Sequence, residues 1–281
     1  LDSVCPQRSL FEVRHVHFAY PGGDAVLDDI SFDVLEGASM AMMGANGCGK
    51  STLLKALDGL LYPQKGSIRF LGEELSENAL KSDAFNRWFR RNVGFIFQQS
   101  DVQLFSPTVE EEIAFGPLHL NLSPTQVKRR VEDISEMLEI THLLQRPPYL
   151  MSGGEKKKVA LASVLSLNPS VLLLDEPSAG LDPRSQMWLV ETLKQLHGAG
   201  KTIVIATHDL DIVNDIADTV VIFNEMHRIE AVGPVKETLQ NTEMLLRVNL
   251  IHEHYHRHGD EIHSHIHAHD SEHKHQHDDV E

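Results

Sequence analysis

The octapeptide GANGCGKS, residues 44–51, constrains this chain more than any other stretch. It fits G-x-x-x-x-G-K-[ST] and stands between an apolar run, ASMAMM (38–43), and the helical pattern TLLKALDGL (52–60). In that setting glycines let consecutive backbone N–H groups curl around phosphate oxygens, and the following helix N-terminus adds positive potential. Lys50 is then placed for the outer phosphates and the Ser51 hydroxyl for a magnesium ion. A plain glycine turn from strand to helix would require neither the lysine nor the hydroxyl. Gly44, Asn46, Gly47, Cys48, Gly49, Lys50, Ser51 and Thr52 are therefore the candidate nucleotide-binding residues, with Cys48 read as a small spacer and not as a redox group.

Four short runs read as buried strands: ASMAMMG (38–44), SVLLLDE (170–176), KTIVIATH (201–208) and DTVVIF (218–223). They are apolar on both faces, as parallel strands covered by helices should be, so the expected fold class is α/β. The second run delivers Asp175 and Glu176 to its carboxyl edge, where ligands bind in a doubly wound sheet. Asp175 suits magnesium, directly or through water, and Glu176 suits orienting or deprotonating an attacking water. Two adjacent carboxylates at a strand end can also be solvated turn residues; the neighbouring phosphate loop favours the chemical role.

Between these motifs the pattern turns helical. SPTQVKRRVEDISEMLEI (123–140) opens on Ser123, Pro124 and Gln126, a capping-box start, and spaces Val127, Val131, Ile134 and Leu138 along one face. A second helix is expected from Ser152, with Glu155 three residues on, until Asn168 and Pro169 stop it. A helical subdomain inserted over about residues 97–168 follows.

Composition excludes some functions. A formal charge of −16 argues against nucleic acid as a partner, because phosphate-neutralising proteins show a basic face, and only NRWFRRN (86–92) is densely basic. The apolar runs VLLL (171–174) and IVIA (203–206) fall far short of the roughly 18 residues that span a bilayer. No secretory leader is evident, and two cysteines, Cys5 and Cys48, give no disulfide framework, so a reducing cytoplasm is expected. Beyond residue 250 the composition changes: eleven of the 18 histidines lie in residues 251–281, among eight acidic and two basic side chains. Such a segment is too polar to pack a core and is expected to be a disordered, acidic tail.

MSGGE (151–155), lying between the two phosphate-site motifs, completes a set that resembles the nucleotide-binding subunit of an ATP-binding-cassette transporter over about residues 8–223. The resemblance implies a P-loop NTPase (RecA-like) sheet core with a helical subdomain carrying this signature, ATP and Mg2+ as ligands, and ATP hydrolysis. It implies that Ser152, Gly153 and Gly154 contact the ATP held by a second subunit; a serine cap and two glycines at a helix N-terminus make an anion site in any case. Gln98 in VGFIFQQ (93–99) resembles the glutamine that joins magnesium to the transmembrane partner, with Gln99 leaving the register open by one. Asp182 ends SAGLD, similar to the segment that communicates between the two sites, and His208 in ATHD resembles the switch histidine at the terminal phosphate. Tyr20 in FAYPGG resembles the aromatic that stacks on adenine, and equally suits an edge strand before the turn at Pro21. Met151 stands where the family usually has Leu, a swap of similar volume.

Within that family, QLFSPTVEEEIAFGP (103–117) is similar to ATPases of the energy-coupling-factor importers, and the histidine-rich tail favours their nickel or cobalt branch. This implies a homodimer, integral membrane subunits for coupling and substrate binding, and a peripheral place on the cytoplasmic face of the membrane. Residues 224–250 resemble the C-terminal dimerisation region of such ATPases. The acidic residues 110–112 are either part of the surface for the membrane partner or a solvated first turn favoured by the helix dipole. Ni2+ or Co2+ is expected on tail histidines His252, His254, His256, His258, His263, His265, His267, His269, His273, His275 and His277, since neutral imidazole is a good ligand for these ions. The competing readings are an importer for another metal or a vitamin, and a soluble cassette protein outside transport.

Overall fold

The computed structural model describes residues 8–258 and 261–268, with the backbone path alone beyond Ile251. Its centre is a six-stranded sheet in the order β10 (Ile229–Pro234), β9 (Thr219–Phe223), β3 (Ser39–Met43), β8 (Thr202–Ala206), β7 (Val171–Asp175) and β6 (Val93–Ile96). From β9 to β6 the pairing is parallel, and only β10 runs antiparallel, at the edge. All residues of β3, β7 and β8 are buried, which explains why these runs lack the alternation of a half-exposed strand. The expected α/β class and P-loop NTPase core are thus present, and the four strands read from the sequence lie side by side.

A second, antiparallel sheet packs beside the first: β1 (Ser9–Ala19), β2 (Ala25–Leu35), β4 (Lys65–Phe70) and β5 (Glu73–Glu74), ordered β2-β1-β4-β5. Phe11, Val13, Leu27, Ile30, Phe70 and Phe89 form one core with the underside of β3 and β7, around α1 (Lys50–Leu57) and the short α2 (Glu77–Leu80) and α3 (Asp83–Asn92). The opposite face of the central sheet is covered by α4 (Val109–His119), α5 (Pro124–Met137), α6 (Gly153–Leu165) and α7 (Pro183–Gly198). Both expected capping boxes form: Ser123 with Gln126 starts α5, and Ser152 with Glu155 starts α6. The Ser152 backbone N–H, donating to Glu155, holds that carboxyl below its ordinary range.

Residues 224–250 are continuous with this body. After α8 (Leu210–Ile216), strand β10 extends the central sheet, and α9 (Val235–Thr238) and α10 (Thr242–Arg247) lay Val235, Met244, Leu245, Val248 and Leu250 against Ala41, Met43, Val220 and Ile222. Ile251 belongs to the same cluster and is 7% exposed.

The tail departs from the coil expected of it. Residues 251–258 and 261–268 pair as antiparallel strands, β11 (Ile251–His258) and β12 (Glu261–Ala268), whose register sets His252 against His267, His254 against His265 and His256 against His263. The physical reason is period: histidine at every second position matches the two-residue repeat of a strand, and Ile262, Ile266 and Tyr255 supply strand formers between them. His269, His273, His275, His277 and Cys5 lie outside the described residues. Among the described residues no helix is long and apolar enough to cross a membrane.

Candidate active site

The phosphate loop leaves the carboxyl end of β3 with its glycines in conformations that side chains resist: φ is 153° at Gly44, 85° at Gly47 and 112° at Gly49. Space enforces the same choice. A Cβ on Gly49 would lie 2.4 Å from the Val26 carbonyl oxygen, and one on Gly44 would meet Cys48 Sγ at 2.7 Å and the Phe223 carbonyl oxygen at 2.9 Å. Cys48 is buried, and burial pushes its thiol pKa up, away from the reactive thiolate; it fills space, as a spacer should. Lys50 is also buried and turns back on the loop, donating from Nζ to the carbonyls of Gly44 (2.7 Å) and Ala45 (3.2 Å).

The carboxyl ends of three adjacent strands bring the other groups to this loop. β8 separates β3 from β7, so the residues following β3, β7 and β8 share one edge of the sheet. Ser51 Oγ donates to Asp175 Oδ1 at 2.7 Å, tying the loop to β7. Burial raises the Asp175 pKa, a cost that a cation between hydroxyl and carboxylate would offset. These are hard oxygen donors, and they fit Mg2+, which Ser51 and Asp175 would hold; bound there, the ion supplies charge neutralisation for the phosphates.

Glu176 is fixed from several sides. Its backbone has φ 40°, an uncommon conformation for a side chain of this type, and its N–H donates to the Ala206 carbonyl at 2.8 Å. Thr207 Oγ1 donates to Glu176 Oε2 at 3.1 Å, and His208 Nδ1 lies 2.9 Å from Oε1. The carboxylate is therefore held between two residues of the next strand's exit. Strain maintained by this many contacts is a common property of reactive positions.

His208 also lines a cleft of about 370 Å³ together with Gly44, Ala45 and Asn46 of the loop and Glu225, Asn249 and Leu250 of the C-terminal segment. Tyr20 is 42% exposed, its hydroxyl is 3.3 Å from Thr52 Oγ1, and Phe18 props its ring edge-on at 5.0 Å. It thus stands at the outer flank of α1, an exposed aromatic face beside the loop. Gln98 follows β6, the strand next to β7, and is exposed. It shares the sheet edge with Asp175.

Ser152, Gly153, Gly154 and Asp182 are not among the residues that line the cleft. They are brought to each other instead. Asp182 caps α7, accepting from the N–H groups of Arg184 (3.0 Å) and Ser185 (3.1 Å) and from Ser185 Oγ (2.6 Å), which together hold its pKa below the ordinary range. A Cβ on Gly154 would stand 2.5 Å from that same Ser185 Oγ, so the glycine permits the close approach of α6 to α7.

Sequence reasoning missed some residues of this region. Lys157, 3% exposed, donates to the carbonyls of Phe97 (3.2 Å) and Gln98 (3.0 Å); the signal was its helical spacing with the buried Leu161 and Val164, hidden inside a run of three lysines. Burial lowers its pKa to about 8. Glu112, read as one of three surface carboxylates, is 3% exposed, and its Oε2 accepts from the N–H groups of Phe105 (3.0 Å) and Ser106 (2.7 Å). It braces the loop ahead of α4 and leaves Glu110 and Glu111 as the outward members of the trio. Beside them Val102, Phe105, Phe115 and Leu118 are exposed by 42% to 70%, with the Phe105 and Phe115 rings edge to face at 4.7 Å.

Comparison with known proteins agrees with this geometry. Residues 27–179 match the family model described as ABC transporter. A nickel import ATP-binding protein, NikO, of Rhodobacter capsulatus is 45% identical over 244 residues, which cover 86% of this chain and 95% of the relative. Among solved structures, cbiO1 of Clostridium perfringens, part of the ABC transporter complex cbiONQ, superposes with a TM-score of 0.75 at 35% identity, covering 87% of this chain and 96% of its own. The dimeric cassette MJ0796, bound to ADP and Pi in a post-hydrolysis state, superposes with a TM-score of 0.71 at 25% identity, covering 80% and 98%. With its phosphate loop, its paired carboxylates and its capped signature helix placed as described, the chain belongs to the ABC transporter family, as one of its ATP-hydrolysing subunits.

Proposed function

We propose that this chain is the energy-coupling ATPase of an importer for nickel or cobalt ions, acting as a homodimer on the cytoplasmic face of a membrane beside integral subunits that couple and bind substrate. The observation that carries the ion assignment is the pairing of the full set of ATP-site motifs with a tail in which histidine alternates with acidic and strand-forming residues, in a chain 45% identical to a protein named for nickel import. Each ATP lies between the phosphate loop of one subunit and residues 152–154 of the other. Lys50 and the loop N–H groups hold the phosphates, Tyr20 stacks on the base, Ser51, Asp175 and Gln98 take the magnesium ion, and Glu176 and His208 serve hydrolysis. Asp182 carries communication between the sites, and residues 224–250 contribute to pairing of the subunits. Uptake of nickel and cobalt by cells expressing this ATPase with its membrane subunits should be abolished by Lys50→Ala. Uptake of neither ion, with the complex assembled and ATP hydrolysed, would overturn the ion assignment.

In this reading the exposed ring pair Phe105–Phe115 receives a short segment of the membrane partner. Phe105→Glu should weaken co-purification with the membrane subunits by roughly tenfold or more, as losses at aromatic anchors do, while nucleotide binding is unchanged. Glu112 should not be altered in such a test, because its two backbone hydrogen bonds shape the loop itself. Undiminished co-purification would move the docking surface elsewhere.

The tail gathers ions in the same reading. A chain ending at Ile251 keeps the packed root and removes the eleven histidines of residues 252–281. It should retain ATPase activity and lose several equivalents of nickel bound at neutral pH, measured by calorimetry. Protons compete for imidazole, so binding by the full chain should fall steeply as pH drops through about 6.5. Affinity should rank copper above nickel above cobalt. Equal stoichiometry with and without the tail would overturn this role.

A further inference from the structure

Helix α6 reaches from the signature loop to the segment after β6, and it grips that segment with two consecutive lysines. Lys157 Nζ donates to the carbonyls of Phe97 and Gln98, at 3.2 and 3.0 Å. Lys156 Nζ pairs with the carboxylate of Asp101, in the turn Ser100–Val102. One contact holds the main chain at Phe97 and Gln98, and the other holds the turn three residues further on. They differ in environment: Lys157 is 3% exposed, whereas the Asp101 side chain is 72% exposed.

A buried ammonium that donates to backbone carbonyls, with Asp175 as the nearby opposite charge, is an expensive way to fill space. Methionine or leucine would occupy the volume without desolvating a charge, and replacing buried charges by apolar groups is often neutral or stabilising. Its hydrogen bonds to two consecutive carbonyls point to a task that needs direction and not volume. Two N–H donors of one nitrogen, aimed at consecutive carbonyls, fix the path of a short segment more sharply than apolar contact does. The helix that bears them also begins at Ser152, and its first turn is pressed against Ser185 through Gly154.

We propose that Lys156 and Lys157 form a link that sets the position of Gln98 from the position of the signature helix, so that closure of residues 152–154 on one nucleotide places Gln98 at the other. The inference rests on the reading in which each ATP is shared between two subunits. Within one chain, residues 152–154 then serve the partner's ATP while Gln98 serves its own. A rigid helix turn joining them makes the two sites report to each other. Both lysines are positioning residues: they act on the main chain of Gln98 and on its neighbour Asp101.

The test uses the full-length protein and four variants: Lys157→Met, Lys156→Glu, Asp101→Lys, and the double exchange of Lys156→Glu with Asp101→Lys. ATP hydrolysis is followed against ATP concentration, with thermal unfolding alongside. The parental enzyme should show cooperativity, with a Hill coefficient approaching about 2 for two coupled sites. Each single variant should move it toward about 1 and lower kcat by roughly tenfold, the effect of losing one charge-assisted hydrogen bond, with KM for ATP within about twofold. The double exchange should restore both cooperativity and kcat. A merely structural role would lower the unfolding temperature and leave the Hill coefficient alone. The exposed pair keeps the proposal testable should Lys157→Met not fold. Dimers whose cooperativity ignores the substitutions, or an exchange that fails to restore it, would overturn the link. Failure of the Glu176→Gln protein to dimerise with ATP would instead overturn the shared-site reading, and the link with it.

Discussion

Glu176→Gln should bind ATP normally and hydrolyse it more slowly by roughly 10²- to 10⁴-fold, the range expected when a general base is lost. The change keeps the side-chain volume and one oxygen acceptor, and replaces the oxygen that faces His208 Nδ1, or the one that faces Thr207, with an amide NH2. One oxygen of the amide can still accept from Thr207 Oγ1, which now donates to Oε2 at 3.1 Å, so the strand exit need not rearrange. What is removed is the negative charge that orients and deprotonates water. Because the nucleotide then persists, the protein should accumulate as an ATP-bound dimer, detectable by sedimentation or light scattering. Parental turnover in this variant would show that a different group orients the water. A monomer in the presence of ATP would show that the nucleotide is not shared between subunits.

Mixing two inactive variants supplies the second large effect. Lys50→Ala removes the buried ammonium at the loop, and Ser152→Arg places a bulky cation at the cap of α6. Each homodimer has one defect in every site and should be inactive. A heterodimer of the two carries both defects in one site and none in the other, so activity should return to about half of the parental value at most, with random pairing halving it again. The separation of Ser152 from the cleft lined by Gly44, Ala45 and Asn46 is what motivates the experiment. Mixed dimers that form and stay inactive would place both residues in the same site.

Much of this was legible in the sequence because local rules and the global fold agree. GANGCGKS needs positive φ at its glycines, and the structure has it; the runs 171–174 and 203–206 are apolar on both faces because helices or the second sheet cover both. The start of α6 follows from one serine and one glutamate. Other features were hidden for physical reasons. The alternation of β1 is broken by register shifts between Val13 and Val16 and between Val16 and Phe18, so its period cannot be read directly. Lys157 carries no distinct signal of burial within a run of three lysines, and only its contact with another segment reveals it. Glu112 was hidden in the same way, since its partners are backbone N–H groups that no side-chain pattern encodes. The tail was read by composition, which favours disorder, when its period favoured a strand.

The burial of Ile251 among Met43, Val220 and Ile222 has a geometric consequence for everything that follows it in the chain. Met43 immediately precedes Gly44, and Asn249 and Leu250 stand in the wall of the cleft that Gly44, Ala45 and Asn46 also line, so the chain after Ile251 leaves the body beside the phosphate loop. A segment tethered in this way does not find the cleft by diffusion. Its local concentration there is set by how far the chain can reach from that point, and not by the concentration of the protein. It stays the same however dilute the protein becomes.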